Sequence, residues 1–111
     1  MPAWAKGRKN PVAASAQSIA KGRELYKNDC LVCHGQQGAG DGPWAGRLPD
    51  SPGNFSDATV MDKMSDGEIF WKISQGRGLM PSYAGRLRAV DRWHLVNYLR
   101  TLAQSTTQTQ E

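Results

Sequence analysis

Cys30-Leu31-Val32-Cys33-His34 holds both cysteines of the 111-residue chain and one of its two histidines. Two thiols three positions apart at the end of a helix fall on one side of it, so each can add to one vinyl group of a haem as a thioether. The histidine directly after the second cysteine is then held beneath the iron as its proximal ligand. A C-x-x-C can also be a redox dithiol or half of a zinc site. Zinc needs two further ligands, and the only other histidine, His94, has no companion near it in sequence. A thioredoxin-like site needs a βαβ pattern that the chain lacks. The pentapeptide therefore favours haem, with the dithiol as its alternative.

The composition around this motif agrees. The chain has room for one small domain. Hydrophobic residues make up 39%, with 12 Gly and 6 Pro, and the mean hydropathy is −0.60. So little apolar side chain among so much loop leaves a domain short of core, and a flat apolar cofactor would fill the gap. The balance of 14 Lys+Arg against 10 Asp+Glu excludes a disordered chain and falls short of the basic stripe of a nucleic-acid binder. Two cysteines exclude a disulfide-stapled scaffold. No apolar run is long enough to span a membrane, and residues 1–18 carry no apolar signal-peptide core.

Along the chain, residues 1–16 read as a flexible arm or linker, 17–104 as the domain, and 105–111 as a polar tail. From Gln17 the pattern is helical, with Ile19, Ala20, Arg23, Leu25, Tyr26 and Cys30 on one broad face and Ser15 or Ser18 as N-cap. Gly35 to Pro43 and Trp44 to Met64 read as long loops, the second packed through Trp44, Leu48, Phe55 and Val60. Ser65-Asp66-Gly67-Glu68 is a capping box opening a helix that runs to Gly76. A last helix over about Val90 to Ala103 puts Trp93, Val96 and Leu99 inward, widened by Leu95, Tyr98 and Leu102. Arg88 stands where its N-cap belongs. The fold class expected is all-α, with three to four helices and long loops around a ligand.

Met80 is the second chemical signal. Pro81 biases it away from helix, and Gly76 and Gly78 permit a close approach, which suits a thioether sulfur offered from a loop as the sixth iron ligand. Met61 and Met64 read instead as core filler. Haem propionates are anionic and need donors, for which Arg47, Trp71 and Arg77 are the candidates. His94 reads as a surface or half-buried helix residue. Five arginines from Arg77 to Arg100 read as a solvated basic face, with docking of an acidic partner as the alternative.

Three blocks give the chain a wider resemblance. They are Gly22-Arg23-Glu24-Leu25-Tyr26 leading into the C-x-x-C-H, Gly78-Leu79-Met80-Pro81, and Trp93-His94-Leu95-Val96-Asn97-Tyr98-Leu99. From Ile19 to Leu102 the chain resembles the class I cytochromes c. Its Gly35 to Pro43 segment and its Phe70-Trp71 are similar to the bacterial branch found as c-domains of oxidase and respiratory-complex subunits. The resemblance implies a small cytochrome c fold around one covalently bound haem c. It implies that the first and last helices cross at Gly22, with Tyr26 and Tyr98 alongside. It further implies that the Pro43 carbonyl accepts the Nδ1–H of His34.

The function expected is that of a non-enzymatic, monomeric one-electron carrier with iron held by His34 and Met80. It would pass electrons between respiratory partners such as a quinol-oxidising complex, a dehydrogenase or a terminal oxidase. The alternatives are a haem c domain permanently docked in or tethered to such a complex, and a haem sensor or peroxidase with a labile sixth site. Haem c attachment in the family implies a periplasmic or otherwise extracytoplasmic location, with the export signal or anchor absent from this sequence.

Overall fold

The computed structural model describes residues 2–30, 57–76 and 83–109. The described residues form five helices and no strand: α1 (Ala3–Gly7), α2 (Ala16–Asp29), α3 (Ala58–Asp62), α4 (Asp66–Gln75) and α5 (Ala89–Thr109). The all-α class expected from the sequence is the one observed.

Each start has a local cause. Ser15 Oγ accepts the Ser18 N–H at 3.1 Å and caps α2, while Ser65 Oγ accepts the Glu68 N–H at 3.1 Å and caps α4. Asp57 does the same for α3, accepting the Thr59 N–H at 2.9 Å; this helix lies inside a stretch expected as loop and buries Met61. At the start of α5 an acid in the first turn serves where a cap is missing. Asp91 takes the Arg88 Nε at 3.3 Å, and the Arg92 N–H closes the first turn on the Arg88 carbonyl at 3.1 Å. The backbone of α5 stays helical to Thr109, into the segment expected as a polar tail.

The core lies where α5 meets α2, α3 and α4. Trp93, Leu95, Val96, Leu99 and Leu102 are buried, as their spacing predicted, against Tyr26, Met61, Ile69, Ile73 and Tyr83. The inward stripe of α2 differs from the expectation. Ala20 and Arg23 are exposed, whereas Ser18, Gly22 and Tyr26, each four residues apart, are buried. The reason is the closeness of α5. A Cβ on Gly22 would overlap the His94 carbonyl oxygen and lie 2.8 Å from Tyr98 Cβ, so only glycine fits without the helices moving apart. Tyr26 and Tyr98 then meet with ring centroids 5.3 Å apart, the crossing that the resemblance implied.

Residues 1–16, expected as a flexible arm or linker, touch the domain at a few points, chiefly Ala5, Asn10 and Val12, while most of their other described residues are exposed. Ala5 is fully buried, and Ser65 Oγ donates to its carbonyl at 3.3 Å. A Cβ on Gly67 would overlap that same carbonyl oxygen, so the glycine lets α1 lie directly on α4. Asn10 Nδ2 donates to Asn97 Oδ1 at 2.8 Å. Asn97 Nδ2 in turn donates to Ser18 Oγ at 2.9 Å and to the Val12 and Ala13 carbonyls at 3.2 and 3.3 Å. One buried amide thus ties the arm to α2 and α5.

Candidate functional site

The site is framed by the C-terminal ends of two helices. At the first, Cys30 is the C-cap of α2, and its N–H bonds the Tyr26 carbonyl at 2.8 Å. It is half-buried and packed against the core cluster, as are Leu25 of α2, Phe70 of α4 and Tyr98 of α5. A thiol on an apolar shoulder fits a covalently held flat apolar body better than it fits a hydrated metal site.

The second frame is α4. Gly76, its C-cap, takes a left-handed φ of 69° that strains any residue with a Cβ, and its N–H bonds the Lys72 carbonyl at 2.9 Å. The chain returns at Tyr83, whose N–H bonds the Ile73 carbonyl, while the Ala84 N–H bonds that of Ser74, both at 3.2 Å. The Met80 segment therefore leaves from and returns to one helical turn. Trp71 is half-buried on α4.

Of the other residues read from sequence, Cys33, His34, Pro43, Arg47, Arg77 and Met80 lie outside the described residues. His94 is committed elsewhere, its Nδ1 lying 2.7 Å from Ser18 Oγ at the α2–α5 crossing.

The reading of the arginines as a solvated face holds for Arg86 and Arg88, which are exposed. Arg100 instead grips the α3–α4 connection, donating to the Met61 and Met64 carbonyls at 2.6 Å each and to Asp66 at 2.9 Å. Arg92 turns inward. Its Nη1 donates to Ser74 Oγ, and its guanidinium lies 4.8 Å from the centroid of the Phe70 ring. Burial pushes its pKa below the usual arginine range. Sequence reasoning missed Ser74, Arg92 and Asn97, because a polar side chain at a contact between distant elements leaves no periodic mark.

Comparison with known proteins agrees with this frame. The family model described as cytochrome C oxidase, cbb3-type, subunit III matches residues 17–99. A thiosulfate dehydrogenase of Stutzerimonas stutzeri (strain A1501) is 31% identical over 101 residues, covering 86% of this chain and 32% of that protein. Chloroplastic cytochrome c6 of Chlamydomonas reinhardtii is 28% identical over 80 residues, covering 68% of this chain and 48% of that one. The chain thus spans about a third to a half of these relatives' length.

Among solved structures, a chain of the Kuenenia stuttgartiensis reducing HAO-like protein complex Kustc0457/Kustc0458 superposes with a TM-score of 0.75 at 30% identity, covering 85% of this chain and 47% of that one. The KustC0563 c-type cytochrome gives a TM-score of 0.64 at 28% identity, covering 73% of this chain and 95% of that one. By the family match over 17–99, the chain belongs to the cytochrome c family typified by subunit III of cbb3-type cytochrome c oxidase, and is a c-type cytochrome domain of electron transport.

Proposed function

We propose that the chain is a single-haem one-electron carrier, in which Cys30 and Cys33 would attach haem c and His34 and Met80 would ligate its iron. The observation that carries the reading is Cys30, capping α2 on the edge of the apolar core immediately before the rest of the C-x-x-C-H. When bound, the haem supplies a reversible ferrous–ferric couple. His34 and Met80 would both hold the iron, which would leave no position for a substrate and make the domain a carrier rather than an enzyme. Methionine as a soft ligand favours the ferrous state and sets a more positive potential than a second histidine would. The Pro43 carbonyl accepts the Nδ1–H of His34, fixing the plane and basicity of the imidazole. Arg47, Trp71 and Arg77 donate to the propionates. The domain works on the extracytoplasmic side of a membrane, as a monomer, between a dehydrogenase or quinol-oxidising complex and a terminal oxidase.

A second reading is supported by the partial coverage of the relatives: the domain is one unit of a longer redox protein or a subunit of a complex. Potentiometric titration of the holo-protein tests the carrier reading. A single one-electron Nernst curve is expected, with no carbon monoxide binding by the reduced protein at neutral pH. Carbon monoxide binding would instead establish a labile sixth site and the sensor reading. Stable co-purification with a membrane complex at high salt would favour the subunit over the mobile carrier.

A further inference from the structure

We propose that the face carrying Trp4, Lys6, Arg8 and Lys9 is a docking surface for a membrane rich in anionic phospholipid. Residues 1–23 contain five cations, Lys6, Arg8, Lys9, Lys21 and Arg23, and no Asp or Glu. Three of the five fall within four positions, at the end of α1 and just after it. Lys6, Arg8 and Lys9 are all exposed, and none of them is ion-paired among the described residues. Trp4, one helical turn before Arg8, keeps 52% of its surface open to solvent, the most exposed large apolar side chain among the described residues.

The arm holds these side chains outward because other residues make its inward contacts. Ala5 is fully buried, and the Ser65 hydroxyl donates to its carbonyl. On a helix the positions before and after a residue lie about 100° to either side of it, so seating Ala5 on α4 sends Trp4 and Lys6 to the two flanks. Asn10 fixes the far end of the patch, donating to Asn97 Oδ1 and the Trp93 carbonyl. Lys6, Arg8 and Lys9 then border one groove of about 470 Å³ over Ser65 and Asp66. Asp66 is the acid in its lining, and that carboxylate is already paired with Arg100 at 2.9 Å. The lining therefore carries net positive charge.

Such a surface fits a bilayer better than an acidic protein. Tryptophan concentrates at the membrane–water boundary, where its ring meets apolar chains and its N–H stays wet. Lysine and arginine there face lipid phosphates, and each adds about fivefold to binding at an anionic bilayer. Protein interfaces by contrast are depleted of lysine, and two of the three cations here are lysine. One exposed ring also offers little shape for a protein to match, whereas a fluid bilayer needs none. An apolar and an electrostatic signal, each weak alone, together give reversible membrane binding. The patch lies at the N-terminal end of α4, opposite Gly76, so docking there leaves the Gly76 end of the candidate site uncovered.

The test is sedimentation of the holo-protein with vesicles of phosphatidylcholine alone and of phosphatidylcholine mixed with phosphatidylglycerol. Binding to the mixed vesicles only is expected, weakening as salt rises. Trp4→Ser should lower that binding about tenfold. The combined variant Lys6→Gln, Arg8→Gln, Lys9→Gln should lower it on the order of a hundredfold. The control is Lys21→Gln, Arg86→Gln, Arg88→Gln, which removes the same charge from exposed positions outside the patch and should stay within about threefold of wild type. Every substituted side chain is exposed, so the fold is kept, as far-UV circular dichroism checks. Equal binding of wild type to both vesicle types, or an equal loss in the control, overturns membrane docking by this face. So does competition by inorganic phosphate with Trp4→Ser binding like wild type, which would assign the groove to a free anion. Binding to neither vesicle but retention on a polyglutamate resin would assign the face to an acidic protein instead. The readout is bound protein rather than haem or electron transfer, so failure of the carrier reading leaves each of these results unchanged.

Discussion

Replacing Gly22 with alanine sets two effects of opposite sign against each other, and the structure decides between them. In an open helix, Gly→Ala gains roughly 0.8–1 kcal/mol of helix propensity. Here the new methyl would overlap the His94 carbonyl oxygen and lie 2.8 Å from both the His94 carbonyl carbon and Tyr98 Cβ. None of these atoms is the end of a flexible side chain, so α2 and α5 must move apart. Overpacking of this kind costs about 1–3 kcal/mol and sometimes more. Separation also weakens the Tyr26–Tyr98 pair, worth about 0.5–1.5 kcal/mol. The net expectation is destabilisation by roughly 1–3 kcal/mol, a fall in Tm of roughly 5–20 °C. Thermal melts of the ferric holo-protein followed by far-UV circular dichroism measure it. Gly85→Ala is the control: a Cβ there meets nothing within 4 Å, so its melt should stay within about 0.5 kcal/mol of wild type. A Gly22→Ala protein that melts at or above wild type refutes the close crossing.

Other perturbations probe other joints. Asn97→Ala removes the amide that joins Ser18, Val12, Ala13 and Asn10; a loss of about 2–3 kcal/mol in denaturant unfolding is expected, with faster tryptic cleavage at Lys6, Arg8 and Lys9. Wild-type cleavage rates in the variant would contradict the docking of the arm. Ser65→Ala should cost about 1 kcal/mol through its lost cap; a change below about 0.3 kcal/mol would show that the cap bond contributes little.

Tyr98 gives a pH dependence. Burial raises its phenol above the ordinary value, partly offset by Arg23. A folded-state pKa above the unfolded one means that the folded state binds the proton more tightly. That stability is complete below about pH 10 and is lost as pH rises through the raised value. Tyr98→Phe should therefore show a shallower fall in Tm above about pH 10, and an unchanged slope would assign the alkaline loss to another group.

What could be read from residues was what repeats or caps. The stripe of α5 and the Ser65 cap follow from spacing and local hydrogen bonding alone, and both stand in the structure where the sequence put them. The face of α2 did not, because a close crossing selects Ser18 and Gly22, whose hydropathy carries no inward signal. The arm looked unstructured for a similar reason. Its anchors are Ala5 against Gly67 and Asn10 against Asn97, contacts across most of the chain length that no local pattern encodes. Of the candidate site, Cys30 and Trp71 were named from sequence and lie on α2 and α4. Arg92 was named only as part of a charged face, since whether an arginine points to water or to an aromatic ring is settled by its tertiary neighbours.

The most direct test of the central claim is the visible spectrum of the protein matured in a host that attaches c-type haem, first oxidised and then reduced with ascorbate. Covalent haem held by His34 and Met80 predicts sharp reduced α and β bands together with a weak far-red methionine band in the ferric state. Reduced bands without the far-red feature would remove Met80 from the iron. No haem absorbance at all would contradict the account and return Cys30 and Cys33 to a dithiol.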